Sequence, residues 1–167
     1  MQNKVYIGIG SNVDREKNIK SCISKLNSKY QNITLSPIYE TESMGFKGPN
    51  FYNLVCYFET QDDVFKLKED MRGIEKDHGR NFNETKFSSR TLDIDILYFN
   101  DLVINDEKIQ IPRKEIIEYD FVLKPLVDIA PEFVHPELNI TNFKIFKEYT
   151  ISKLIIAKIE LEIKVSP

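Results

Sequence analysis

Only two cysteines occur in the 167 residues, Cys22 and Cys56, far apart and outside any C-x-x-C or zinc-type Cys/His spacing. That leaves no disulfide framework, and two buried thiols in a reducing compartment are expected. Histidine is equally sparse, and His78 and His135 stand too isolated to be assigned to catalysis or a metal. An excess of positive charge is also lacking, with 23 Lys plus Arg against 26 Asp plus Glu and a net charge of −3. No global field draws in a polyphosphate backbone, so nucleic acid is not an expected partner and any anion site must be local. Long apolar runs are missing too: Ile151 to Val165 is broken by Lys153, Lys158, Glu160, Glu162 and Lys164, and the N-terminus has no secretory pattern. A cytoplasmic protein with no membrane contact is expected. The glycine motifs of phosphate binding are absent as well. Gly8-Ile9-Gly10 is followed by Val13 where a dinucleotide fingerprint needs glycine, and no G-K-[ST] loop occurs.

What is present is an ordinary globular balance, 41% apolar and 29% charged. At this length one domain over residues 1–167 is expected, burying roughly 70% of the surface of its unfolded chain. Lys4 to Gly10 alternates as a strand and stops at Ser11-Asn12. Behind Asp14, read as an N-cap, Ile19, Cys22, Ile23, Leu26 and Tyr30 fall on one helical face. Ile33 to Thr41 and Phe51 to Thr60 read as strands around a loop holding Gly45, Gly48 and Pro49. Asp62 or Asp63 caps a second helix carrying Val64, Leu67, Met71 and Ile74, which ends at Gly79. Arg80 to Arg90 has no apolar period and reads as a loop, whereas Thr91 to Phe99 is a strong strand. Strand, helix, strand, strand, helix, strand is a ferredoxin-like α+β order, an antiparallel sheet with helices packed on its faces. Ile104 to Pro112 is expected to pair as a short extra strand, and Arg113 to Asp128 to form short helices broken before Pro125. The core is expected to span 1–136, with an ambiguous extension over 137–167.

The chemistry concentrates at Asp93-Ile94-Asp95. Residues i and i+2 of a strand face one side, which puts two carboxylates about 7 Å apart with Leu92, Ile94 and Ile96 opposite. Two like charges there call for a counter-cation. A bare D-x-D is more often a solvated strand face, but this one follows a loop carrying Arg80, Lys86 and Arg90. Hard oxygen ligands beside forked guanidinium donors suit magnesium and bound phosphates, and hence phosphoryl-type transfer. Asn53 interrupts an apolar strand pattern with an amide that both donates and accepts.

Tyr6 to Asn12, Tyr39-Glu40-Thr41 with Gly45, Phe51-Tyr52-Asn53, Ile74-Glu75, Gly79-Arg80 and above all Arg90 to Leu97 resemble the 6-hydroxymethyl-7,8-dihydropterin pyrophosphokinases of folate synthesis, collinearly to about Pro136. The resemblance implies transfer of the β,γ-diphosphate of ATP to the pterin hydroxymethyl oxygen, with release of AMP. It implies two magnesium ions on Asp93 and Asp95, and stabilisation of the transferring group by Arg80 and Arg90. Thr41, Ser43, Met44, Gly45 and Asn53 would meet the pterin, with Phe51 and Phe121 packed at its ring. Glu75, Lys86, Phe87, Arg90, Ile96, Lys108, Gln110, Arg113 and Lys114 would form the nucleotide site. The partners implied are pterin and ATP, acting on a monomer. The chain departs from the family where it has Phe82 for Arg, Phe87 for Trp, Ser88 for Gly, Arg113-Lys114 for His-Tyr and Tyr119 for Arg, so its phosphate contacts are expected to be rearranged or weaker. A diverged binding module without catalysis is the competing reading. An RNA platform on the same strand order is disfavoured by the acidic balance.

Overall fold

The computed structural model describes residues 2–83 and 87–165. The first strand, β1 (Asn3–Ser11), turns at Ser11–Asp14 into helix α1 (Arg15–Tyr30). A second strand segment follows as β2 (Thr34–Leu35) and β3 (Ile38–Thr41), and a long strand as β4 (Phe51–Thr60). Helix α2 (Val64–Asp77) leads through residues 78–92 to β5 (Asp93–Phe99). The main sheet runs β5-β1-β4-β3-β8, antiparallel throughout, with β8 (Ile155–Ile159) at one edge and β2 also paired to β4. This is the expected ferredoxin-like α+β core.

The helical periodicities land where the pattern puts them. Ile19, Cys22, Ile23 and Leu26 of α1 and Val64, Leu67, Met71 and Ile74 of α2 are buried against Ile7, Ile9, Leu54, Cys56 and Phe58 of the sheet. Each such apolar side chain contributes about 1.5–3 kcal/mol on burial, which outweighs the modest helix propensity of these segments. Both thiols are buried and free. Asp63 caps α2 by accepting from Lys66 N at 2.8 Å, whereas Asp14 sits at the α1 N-cap in a left-handed conformation, φ 44°, with no side-chain cap bond. The opposite sheet face carries α3 (Asp120–Ile129) and α4 (Asn142–Glu148), which bury Leu123, Leu126 and Ile145 with Leu97 and Tyr98. Its two isolated histidines pack quietly: His135 is buried edge-on to Tyr98, and His78 bonds Ile74 O and Ser21 Oγ.

Three segments differ from the sequence-based expectation. The stretch read as one strand over Ile33 to Thr41 splits at Ser36-Pro37, because Pro37 has no N–H for the ladder; Ser36 Oγ instead accepts from Val55 N at 2.8 Å. α3 is not broken before Pro125 but runs through it, since burial of Leu123, Pro125 and Leu126 overrides the lost backbone bond. The extension, ambiguous from sequence, joins the sheet: β8 pairs along β3, and the carboxylate of buried Asp120 at the start of α3 accepts from Leu154 N (2.8 Å) and Ile155 N (3.2 Å). Between β5 and α3, the extra strand is a hairpin of two residue pairs, β6 (Ile104–Asn105) and β7 (Gln110–Ile111), followed by one 3-10 turn at Lys114–Ile117.

Candidate active site

β5 is the far edge of the sheet. Its register against β1 sets Asp93 opposite Gly10 and Asp95 opposite Gly8, so both carboxylates stand over a stretch of β1 with no side chains of its own. Ile94 and Ile96 turn to the other face, into the core beneath α2. The strand alternation thus delivers the acidic pair to one side, as a period of two requires.

Two cavities meet at this pair. One, of about 200 Å³, lies between α2, β5 and the β6–β7 hairpin, and its walls include Lys68, Arg72, Glu75, Phe82, Ile96, Lys108 and Gln110. The other, of about 320 Å³, lies between the sheet and the loops of residues 42–50 and 87–90; Thr41, Met44, Phe51, Asn53, Phe87 and Phe121 line it. Four residues belong to both: Arg80, Asp93, Asp95 and Arg113. The first cavity is basic, the second aromatic, and an acidic wall with two guanidinium groups separates them.

The electrostatics of the wall follow from its packing. Arg80 Nη1 donates to Glu75 Oε2 at 2.9 Å, Asp93 Oδ1 at 2.9 Å and Leu92 O at 3.1 Å, so one nitrogen ties α2 to the head of β5. Buried Glu75 also accepts from Ile94 N at 3.0 Å, and burial with the nearby Asp93 charge pushes its carboxyl up to about 7 against the pull of Ile94 N–H and Arg80. Burial and Asp93 likewise push Asp95 up to about 7, partly offset by Arg113, whose Nη2 lies 3.8 Å from Asp95 Oδ1. Arg113 is itself held by Glu115, at 3.2 Å through both Nε and Nη2. Carboxyl groups weakened as acids in this way would be returned to their ionised form by a cation bound beside them.

The donor chemistry fits a divalent ion that completes its shell elsewhere. Among the described residues no group of three or more His, Cys, Asp or Glu could hold a metal. Two carboxylates beside arginines match magnesium, which keeps several oxygen ligands from water and phosphate rather than from a protein cage.

In the aromatic cavity Asn53 Nδ2 donates to Thr41 Oγ1 at 2.8 Å, which fixes the orientation of the amide. Its Oδ1 occupies the space a Cβ on Gly10 would take, 2.5 Å away. Phe51 meets Phe46 edge-on at 6.5 Å, and Phe121 stacks on Tyr119 at 5.3 Å, so the two rings that line the pocket are each buttressed by another.

Most residues singled out from the sequence converge here, but not all in the expected compartment. Phe87 and Arg90 wall the aromatic cavity rather than the basic one, and Phe87 lies over Gly45, whose φ of +75° and 3.1 Å approach to the ring leave no room for a side chain. Ser43 lines neither cavity: its hydroxyl donates within its own loop, to Pro49 O at 2.8 Å. Lys114 is exposed at the start of the 3-10 turn and also lines neither. Lys86 lies outside the described residues. Glu75 lines the basic cavity and at the same time braces Arg80. Residues that the motifs did not flag are Lys68 and Arg72, one turn apart on α2, and Glu115 behind Arg113. Arg72 stacks over Phe82 at 4.1 Å, a signal that only the folded loop reveals.

An edge strand that projects two aspartates between a basic and an aromatic cavity defines the site of this α+β protein. The family model described as 7,8-dihydro-6-hydroxymethylpterin-pyrophosphokinase (HPPK) matches residues 6–131. The chain is 36% identical over 138 residues to the 2-amino-4-hydroxy-6-hydroxymethyldihydropteridine pyrophosphokinase of Aquifex aeolicus, covering 79% of this chain and 83% of that protein. It is 30% identical over 155 residues to the Haemophilus influenzae enzyme of the same name, covering 90% and 95%. The folic acid synthesis protein FOL1 of Dictyostelium discoideum is 37% identical over 142 residues, 84% of this chain but 22% of its own, so the chain spans about a fifth of the length of such relatives. A Plasmodium falciparum HPPK-DHPS structure shares the fold, with a TM-score of 0.70 at 16% identity over 89% of this chain and 44% of that one. The chain belongs to the 7,8-dihydro-6-hydroxymethylpterin-pyrophosphokinase family.

Proposed function

We propose that this protein transfers the β,γ-diphosphate of ATP to the hydroxymethyl oxygen of 6-hydroxymethyl-7,8-dihydropterin and releases AMP, a step of folate synthesis. One observation carries the reading: the acidic pair and two arginines form the common wall of a basic and an aromatic cavity. A diphosphate held at that wall lies between nucleotide and pterin, where neither substrate must travel for the transfer to occur.

The basic cavity, with Lys68, Arg72 and Lys108 at its sides, takes the nucleotide; Phe51 and Phe121 take the pterin ring, and the Asn53 amide and Thr41 hydroxyl its mixed donor and acceptor edge. Asp93 and Asp95 hold two magnesium ions, which when bound neutralise the triphosphate oxygens and favour the ionised form of the attacking hydroxyl. Arg80, braced by Glu75 and Asp93, and Arg90 stabilise the charge that develops on the bridging oxygen as AMP leaves. Aromatic walls on both sides of the pterin exclude the water that would hydrolyse ATP. The test is direct: the purified chain mixed with ATP, magnesium and 6-hydroxymethyl-7,8-dihydropterin should form AMP and the pterin diphosphate. ADP in place of AMP, or nucleotide binding with no turnover, refutes the reading.

A further inference from the structure

The main sheet ends in two edges of different character. β5 is engaged: Leu97 O accepts from Arg113 N at 3.2 Å, and the acidic pair opens into the two cavities. β8 is bare on its outer side. It is laddered only to β3, and among the described residues no backbone group from Ile156 to Val165 has any other hydrogen bond. Such an edge is a template for a further strand. Ile159 and, just past the strand, Leu161 pack half-buried against the core, whereas Lys158 and Glu160 are exposed and form no ion pair among the described residues.

The occupant this edge fits is a second copy of itself. Antiparallel pairing sets residues of one face directly opposite each other, and a slip by one residue would put apolar side chains against charged ones. A two-fold axis through Ile159 places Ala157 opposite Leu161 of the second copy and Ile159 opposite its own copy. It also places Lys158 opposite Glu160 of the second copy, twice over by symmetry. The neighbouring centres fail on charge. Centring on Lys158 or on Glu160 sets that residue against itself, and centring on Leu161 sets Glu160 against Glu162 and Lys158 against Lys164. Like charges directly opposite are destabilising, so one register is selected. On the other side the regular run ends at Ile156, which bulges out of the ladder to β3 and is 51% exposed, so the contact is short.

We propose that two copies of this chain pair antiparallel through residues 157–161, Lys158 against Glu160, in place of the monomer that the family resemblance implies. So short a pairing buries well under the roughly 1,200 Å² of a stable interface, so the dimer is weak, half formed at about 50 µM. The acidic pair lies on the opposite edge strand, so association leaves both cavities open. Sedimentation velocity on the full chain from about 5 to about 300 µM should show the mean mass rising toward that of two chains. Lys158→Glu and Glu160→Lys should each weaken association at least about tenfold, with melting temperatures within about 2 °C of the wild type. An equimolar mixture of the two variants, and the double variant, should recover association to within about threefold of the wild type, because each restores opposite charges in this register. A wild type that keeps the mass of one chain across the range overturns the proposal, an arm that decides the matter even where a variant does not fold. So does association that survives both reversals, which would place the contact on another surface, and so does a mixture of the two folded variants that stays dissociated.

Discussion

Gly10→Ala isolates the pterin side of the site. Gly10 pairs with Asn53 on β4 and with Asp93 on β5, at the point where the aromatic cavity meets the acidic wall. A Cβ there would stand 2.5 Å from Asn53 Oδ1 and 3.8 Å from Phe51 Cδ1, and since ordinary contact begins near 3.4 Å the amide must yield by about 0.9 Å. The colliding atom ends a side chain, so the strand itself need not move. What is lost is the bond from Asn53 Nδ2 to Thr41 Oγ1, about 1 kcal/mol of stability, with some return from the lower entropy of an alanine unfolded chain. Binding suffers more. An amide displaced by nearly 1 Å cannot match a pterin edge, and each buried polar group left unpaired costs about 1–3 kcal/mol, or a 5- to 150-fold weaker complex. Nucleotide affinity should stay within about twofold, because Gly10 does not wall the basic cavity. Paired titrations of pterin and of α,β-methylene-ATP, with a melting curve alongside, read all three quantities. A variant that melts as the wild type does and binds pterin within threefold of it would show that Asn53 does not read the pterin.

Asp95→Asn should lower AMP formation by about 100- to 1000-fold while raising the metal-free melting temperature at pH 8, because a repulsion within the pair is removed; wild-type turnover would refute the metal role. Glu75 predicts a pH dependence for the metal-free protein. Its folded pKa, about 7, exceeds the ordinary 4.5, so the folded state holds the proton more tightly and stability falls as pH rises from about 4.5 to about 7, by about 3 kcal/mol in all. Denaturant titrations of Glu75→Gln should show that slope flattened, and parallel profiles for the two proteins would exclude Glu75 as its source. Lys114→Ala should leave the KM for ATP within twofold, since that side chain is exposed and outside both cavities; a tenfold rise in steady-state assays would place it in the nucleotide site after all.

The alternation of Leu92 to Leu97 was enough, by itself, to put Asp93 and Asp95 on one face and the isoleucines in the core, because side-chain direction in a strand is a local property of the backbone. The helical stripes of α1 and α2 were legible for the same reason, as was the βαββαβ order that follows from them. The motifs from Tyr6 to Leu97 also named the acidic pair, Arg80, Arg90, Thr41 and Asn53 among the residues that line the two cavities. Relations between distant segments were not legible. Nothing near Arg113 announces that it shares a wall with Arg80, nor does the pattern around Pro125 reveal that sheet contacts carry a helix through it. The pairing of Ile155–Ile159 with β3 and the bridge from Asn12 to Pro49 and Arg90 depend on register and on loops meeting in space. Local periodicity fixes which way a side chain faces. What it faces is decided by the packing free energy of the whole sheet, which no short window of sequence contains.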